Sequence, residues 1–243
     1  DVSGRGYTTE GEIKRTDDSK AETSPALERL LRAGVLCNDA QIKSGANDII
    51  GDPTEGALVV LGAKGGYLKD TLSVEMPRVG EIPFDSKRKL MSTFHQHKEG
   101  IVMYTKGAPD IILSRCKYIL IDGKVMEVTD SHKKSIMEQN TSFANEALRV
   151  LALSYKMPKE LKEDSEEESN LIFLGLIGMM DPPRDEAKEA VAICKKAGIR
   201  VVMITGDHKT TGSAIGRAIG IIDTDEGAMD GKEIDALGDE ELK

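Results

Sequence analysis

The fold is decided by residues 79–105, whose sequence is VGEIPFDSKRKLMSTFHQHKEGIVMYT. Three runs in this stretch, Val79–Phe84, Lys89–His95 and Gly100–Thr105, contain β-branched and aromatic residues and are separated by short polar segments. Such runs between turn-forming residues are typical of strands. The stretch therefore predicts three successive strands of an antiparallel sheet.

The sequence on both sides of this stretch adds helices and further strands. Upstream, apolar spacing and proline start signals predict helices that begin at Ser24-Pro25 and at Pro53. Downstream we predict a helix, a hairpin, a second helix and a strand, at Ala108–Arg115, Tyr118–Val128, Ser131–Ala147 and Arg149–Tyr155. Together these elements predict an α+β domain over residues 1–157, in which helices flank an antiparallel sheet.

The remainder of the chain has a different pattern. Residues 158–170 are dense in Glu and predict a solvated acidic loop or linker. After it, strand and helix patterns alternate at Leu171–Met180, Arg184–Ala197, Ile199–Thr205 and Asp207–Gly220. An apolar strand followed by a helix is typical of parallel sheets. Because two strands do not make a stable sheet of this kind, residues 171–243 predict an incomplete α/β domain.

Composition excludes several classes of function. The chain has 243 residues, 39% hydrophobic and 31% charged, as in ordinary globular proteins. A net charge of −9 argues against a nucleic-acid or anionic-membrane binder. No apolar run reaches the length of about 20 residues that a membrane helix needs. Three widely spaced Cys lack metal-ligand spacing and predict buried thiols in a reducing compartment. The start at Asp1, without Met, predicts a piece of a longer protein.

Two carboxylates follow the predicted parallel strands, and ligands in α/β sheets collect at such strand ends. Asp181 follows the first strand and Asp207 the second, although each is equally explained as a helix cap. Gly206, between Thr205 and Asp207, allows the tight turn that a phosphate site needs. No Walker loop, no G-x-S-x-G and no His pair at metal spacing occurs. His95 and His97 share one strand face, which we expect to be solvated.

The α+β region carries its own candidate site residues. Lys106 precedes Gly107 and a helix, so its ammonium and the nearby amides could meet a phosphate, or it could be an ordinary surface lysine. Phe84 could stack on a base, or it could pack in the core. Glu55 could bind a ligand, or it could complement the dipole of its own helix. Basic residues stand at two further predicted element ends, Lys89 and Arg149.

Six motifs in order make the chain resemble the P-type cation ATPases, most closely the calcium pumps and their sodium/potassium relatives. They are GDPTEGAL at 51–58, PFDSKRKLMS at 83–92, KGAP at 106–109, LRVLA at 148–152, DPPR at 181–184 and TGD at 205–207. The resemblance covers nearly the whole chain. It favours the functional alternatives for Phe84, Lys106, Asp181 and Asp207. It also implies that the α+β region is the ATP-binding domain of such a pump.

The resemblance implies a role for each candidate residue. Phe84 would stack on adenine, Glu55 would approach its amino group, and Lys106 with Gly107 would line the pocket. Lys89 and Arg149 would hold the phosphates. Residues 171–243 would be part of a phosphorylation domain of the haloacid-dehalogenase type, in which supporting catalytic residues position the terminal phosphate: Asp181, Arg184, Thr205, Gly206 and Asp207.

Two departures from the family pattern bear on function. Some calcium pumps carry Arg where this chain has Ser86, so we expect weaker phosphate binding. Lys87 or Arg88 could supply the charge, but strand alternation makes Lys87 a poor geometric substitute. The Asp-Lys-Thr-Gly-Thr loop that takes the phosphoryl group is absent from the sequence, as is the later Gly-Asp-Gly-Val-Asn-Asp segment that helps bind Mg²⁺. We therefore expect a fragment that binds ATP or ADP but forms no aspartyl phosphate.

The intact protein would be an ATP- and Mg²⁺-dependent ion translocase that carries a cation, with calcium favoured by the resemblance. The chain would lie on the cytoplasmic side of a membrane, and its partners would be the actuator, phosphorylation and transmembrane parts of the same pump, with no nucleic acid. Two alternatives stay open from the residues. One is a haloacid-dehalogenase-like phosphatase, which needs an Asp-x-Asp nucleophile loop, and the other is a non-catalytic interaction domain that uses the acidic loop Glu160–Glu168.

Overall fold

The computed structural model describes residues 1–4, 6–15, 24–43, 48–146, 148–180, 185–205, 209–224, 227–235 and 238. The helices in these ranges are α1 Pro25–Leu36, α2 Pro53–Lys64, α3 Lys69–Glu75, α4 Pro109–Arg115, α5 Asp130–Asn145, α6 Asp185–Lys196, α7 Lys209–Ala218 and α8 Gly231–Asp235. The strands are β1 Gln41–Ile42, β2 Ile49–Ile50, β3 Arg78–Asp85, β4 Leu90–His97, β5 Gly100–Gly107, β6 Cys116–Ile121, β7 Lys124–Glu127, β8 Arg149–Lys156 and β9 Leu171–Met179.

Seven of the strands form one sheet, in the order β3-β4-β5-β8-β9-β6-β7. The pairs β3–β4, β4–β5, β5–β8 and β6–β7 are antiparallel. The pair β6–β9 is parallel. The three predicted strands, observed as β3, β4 and β5, and the helices flanking the sheet confirm the α+β prediction. The sheet is mixed, however, so the prediction of a purely antiparallel sheet is wrong in this respect.

Local sequence explains where several elements begin and turn. Ser24 precedes Pro25, and its hydroxyl accepts from the N–H of Leu27, so α1 starts with a capped end. Asp52 caps α2 in the same way. The β6–β7 hairpin turns at Asp122-Gly123, where both residues have positive φ, at 48° and 77°. That conformation is the one a two-residue hairpin turn requires.

The two faces of the sheet have different coverings. On one face, the hydroxyl oxygen of Thr93 lies 3.4 Å from the carbonyl oxygen of Leu36 in α1. The opposite face holds an apolar core cluster, to which β4, β5 and α4 contribute Phe94, Met103 and Ile112, all fully buried. Because neighbours along a strand point to opposite faces, residues 91, 93 and 95 face the first covering and residues 90, 92 and 94 face the second.

The predicted second sheet does not form among the described residues. Strand β9 pairs with β6 in the large sheet, although we predicted that it opens a separate α/β domain. The described residues Ile199–Thr205, predicted to be the next parallel strand, adopt no strand conformation. A strand requires a partner for its backbone groups, and apolar content alone does not supply one. Helices α6 and α7 do occur close to their predicted positions.

The chain divides into two compact units. The first comprises 1–137 and 151–177, and the second 138–150 and 178–243. The segment 158–170 lies within the first unit, and the boundaries predicted at 157 and 171 stay a prediction. None of the helices in the described part of the chain combines the length and apolarity that a bilayer crossing requires.

Candidate functional site

An ion pair between a buried lysine and a partly buried glutamate lies near the end of β5. Lys106, on β5, is only 6% exposed, and its ammonium donates to Oε1 of Glu55. Glu55 is in the first turn of α2, and its Oε2 accepts from the backbone N–H groups of Asp39 and Ala40, at 3.0 and 3.2 Å. The surface-lysine alternative for Lys106 is therefore wrong. Glu55 does more than complement its helix dipole, because it joins three donors in one place.

The loop after α1 holds this carboxylate in position. Asn38 is buried, and its side-chain amide donates to the carbonyls of Gly34 and Glu55, at 3.1 and 2.8 Å. Lys69 donates to the carbonyls of Asn38 and Ala40, at 2.7 and 2.6 Å. Burial lowers the pKa of Lys69. This loop was not predicted from the sequence, although the polar pair Asn38-Asp39, shortly after an apolar helix, was a usable signal.

Phe84 lies in the same row of the sheet as Lys106. The pairing of β3 with β4 shifts between Ile82 and Asp85, so that Pro83 and Phe84 together stand opposite Met91, an arrangement known as a β-bulge. Met91 in turn pairs with Lys106. Two strand spacings, roughly 10 Å in all, therefore separate Phe84 from Lys106. The ring of Phe84 is 62% exposed, so the core-packing alternative is wrong.

Gly107 and Lys89 complete this end of the sheet. Gly107 pairs with Leu90, and a Cβ at position 107 would come within 2.3 Å of the carbonyl oxygen of Lys89. Only glycine permits that approach. Lys89 is exposed and has a φ of 56°, and its carbonyl accepts from the N–H of Ala108 at 3.3 Å. The structure thus brings together Glu55, Phe84, Lys89, Lys106 and Gly107.

The side chain of Arg88 is engaged elsewhere. Its Nε lies 2.7 Å from Oε2 of Glu168, which is fully buried, and its Nη2 donates to two backbone carbonyls. Arg88 is therefore unable to replace the Arg that Ser86 displaces, whereas Lys87 is exposed. The expectation of a solvated loop at 158–170 is wrong for Glu168, because this carboxylate has a cation and a hydroxyl as partners.

The other predicted residues belong to the second unit or lie outside the described residues. Arg149, exposed at the start of β8, belongs to the second unit, and Thr205 is described as exposed. Asp181, Arg184, Gly206 and Asp207 lie outside the described residues. Their roles stay predictions.

Metal binding has no support in the described ranges, where no three His, Cys, Asp or Glu side chains form a group suited to a metal ion.

The expectation of a solvated face is wrong for His95. This residue is buried, and its Nδ1 lies 3.0 Å from the carbonyl oxygen of Met76.

Comparison with known proteins is consistent with the resemblance. The family model of the P-type ATPase cytoplasmic domain N matches residues 26–186. A calcium-transporting ATPase of Listeria monocytogenes is 44% identical over 238 residues, which are 97% of this chain and 27% of that protein. One of Lactococcus lactis is 42% identical over 237 residues (97% and 26%), and one of Bacillus cereus is 46% identical over 214 residues (88% and 24%).

The chain spans about a quarter of the length of these curated relatives. The family match covers more than half of the chain, and it includes every strand of the seven-stranded sheet and both members of the Lys106–Glu55 pair. The chain therefore belongs to the family of the P-type ATPase cytoplasmic domain N.

Proposed function

We propose that this chain is the ATP-binding part of a cation-pumping P-type ATPase, and that it binds ATP or ADP at the sheet end formed by Phe84, Lys106 and Glu55. The observation that carries the proposal is the row Phe84–Met91–Lys106, which places an exposed aromatic residue on β3 and a buried cation on β5, with β4 between them. The adenine ring of a nucleotide needs a flat apolar surface, and the phosphates of the nucleotide need positive charge.

Each residue of the row has a role that its surroundings support. The exposed ring of Phe84 offers a stacking face, which is worth about 1–3 kcal/mol per base in other nucleotide-binding proteins. Glu55 holds Lys106 in place and retains lone pairs that can accept from the amino group of adenine. Gly107 permits the close approach of β5 to the carbonyl of Lys89, and the exposed Lys89 would bind the phosphates.

The activity of the whole pump is part of the same proposal. The relatives are named calcium-transporting ATPases, so we propose that the intact protein transports calcium at the expense of ATP, with Mg²⁺ as a cofactor. The chain would lie on the cytoplasmic side of a membrane, next to the actuator, phosphorylation and transmembrane parts. Asp181, Arg184, Thr205, Gly206 and Asp207 would act in the phosphorylation domain.

The chain itself should bind nucleotide without turning it over, because its sequence holds no Asp-Lys-Thr-Gly-Thr nucleophile. Phosphate release from Mg²⁺-ATP above background, abolished by Asp207→Asn, would overturn this part of the proposal. No residue of the chain is assigned to the Mg²⁺ ion.

The test is a calorimetric titration with ATP of the wild type, Phe84→Ala and Lys106→Ala. The matched control is Val74→Ala, because Val74 is 83% exposed on α3 and lies outside the row. We expect saturable binding by the wild type and the control, weakened at least about fivefold by Phe84→Ala, as the loss of one stacking contact implies. Equal affinities of wild type and Phe84→Ala would refute the proposed site.

A further inference from the structure

The acidic segment contains one side chain that is completely withdrawn from solvent. Glu168 is 0% exposed, whereas Glu166 nearby is exposed. Oε1 of Glu168 accepts from the hydroxyl of Ser92 at 2.8 Å, and that hydroxyl also lies 2.9 Å from the hydroxyl of Thr105. A buried carboxylate is unfavourable unless a cation compensates it. The compensating cation here is Arg88, whose Nε lies 2.7 Å from Oε2 of Glu168.

The Arg88–Glu168 contact depends on charge rather than on an aligned hydrogen bond. Within the described part of the chain, Arg88 Nε and Glu168 Oε2 are buried and have no hydrogen-bond partner, although the two atoms are 2.7 Å apart. The attraction between the two charges therefore holds them together. Replacing the carboxylate with an amide of the same shape should remove that attraction while keeping an acceptor for Ser92.

Arg88, held by Glu168, also contacts the hairpin that carries Phe84. Its Nη2 donates to the carbonyls of Pro83 and Leu90, at 2.7 and 3.1 Å, and so it ties both strands on either side of the turn. Asp85 accepts from the N–H groups of Lys87 and Arg88 within the same turn, at 3.0 and 2.8 Å. Phe84 lies between the two residues Pro83 and Asp85, so its backbone is fixed from both sides.

The ion pairs Lys106–Glu55 and Arg88–Glu168 contact this end of the sheet from opposite faces. Ser92 and Thr105 are neighbours across β4 and β5. Ser92 directly follows Met91, and Thr105 directly precedes Lys106. Alternation along a strand places Glu168 on the face opposite to Glu55. We propose that Glu168, through Arg88, is a positioning residue for Phe84, so that the acidic segment sets the affinity for the adenine base. This inference rests on the proposed function.

The test compares Glu168→Gln with Glu166→Gln, which makes the same change of charge at an exposed position of the same segment. Hydrogen exchange of the peptide 84–90 is measured without nucleotide, and affinities are measured by calorimetry for ATP and for adenosine. We expect Glu168→Gln to accelerate exchange in this peptide and to weaken both affinities by the same factor, roughly threefold to tenfold. The control should match the wild type in all three measurements.

Each other result counts against the inference or against the proposed function. Unchanged exchange and affinities in a folded Glu168→Gln protein would overturn the inference, and so would a loss confined to ATP, because Glu168 would then act on the phosphates. If Glu168→Gln fails to fold, Arg88→Lys provides the same comparison, since lysine keeps the charge but loses the fork that reaches both carbonyls. A wild type that binds neither ligand refutes the proposed function, while the exchange data still test the positioning.

Discussion

The free energy of unfolding of this chain should fall when the pH is lowered from 8 to 5, and proton uptake by His95 should account for part of that fall. Burial lowers the pKa of His95 from its ordinary 6.5 to about 4, and the nearby charges of Arg78 and Lys69 act in the same direction. Its ring lies between the carbonyl of Met76 and the hydroxyl of Thr93. Because a carbonyl can only accept, Nδ1 carries the proton of the neutral ring.

The sign and size of the effect follow from linkage. The unfolded chain takes up a proton at His95 near pH 6.5, whereas the folded chain does so only near pH 4. The contribution of neutral His95 to the free energy of unfolding is therefore complete above pH 6.5 and is lost as the pH falls toward 4. The whole difference corresponds to about 3 kcal/mol, of which about 2 kcal/mol should be lost between pH 8 and pH 5.

The assay is urea unfolding at both pH values for the wild type, His95→Gln and His97→Gln. Other groups titrate in this range as well, so the informative quantity is the difference between the proteins. The fall in unfolding free energy should be about 2 kcal/mol smaller in His95→Gln than in the wild type, while His97→Gln should behave as the wild type. The same pH dependence in His95→Gln and wild type would show that the burial argument is wrong.

Two further predictions concern Gly107 and the thiols. Gly107→Ala should lower the free energy of unfolding by about 2 kcal/mol, because the added Cβ would lie 2.3 Å from the carbonyl oxygen of Lys89; a urea midpoint equal to that of the wild type would contradict this. At pH 8 a thiol reagent should label Cys194 in the native chain but spare Cys37 and Cys116, since burial raises the pKa of both and brings that of Cys116 to about 12. All three should react in urea, and rapid native labelling of Cys116 would count against its burial.

Local signals were sufficient to predict most of the elements of the first unit. The caps at Ser24 and Asp52, and the turn at Asp122-Gly123, act within a few residues of the sequence that encodes them. For the same reason, most ends of the three strands around 79–105 were predicted to within one or two residues of their observed positions. The residues of the candidate site were predicted from motifs, but the row that joins them depends on strand register.

Long-range contacts explain what the sequence did not reveal. The bulge that aligns Phe84 with Met91 exists only in the β3–β4 pair, and the parallel pairing of β9 with β6 joins residues more than 50 positions apart. A run of glutamates is typical of a solvated surface, so nothing local distinguishes Glu168 from its neighbours. Its burial follows from Arg88 and Ser92, which are distant in sequence.

The most direct test of the central claim is an amide chemical-shift titration of the ¹⁵N-labelled chain with ADP. We predict that the largest shifts fall at Glu55, Phe84, Lys106 and Gly107 and saturate together. The chain has other grooves where a ligand could bind, one lined by Arg29 and Tyr104 and another by Arg115 and Lys117. Shifts centred on either groove, with Phe84 and Lys106 unaffected, would contradict the account.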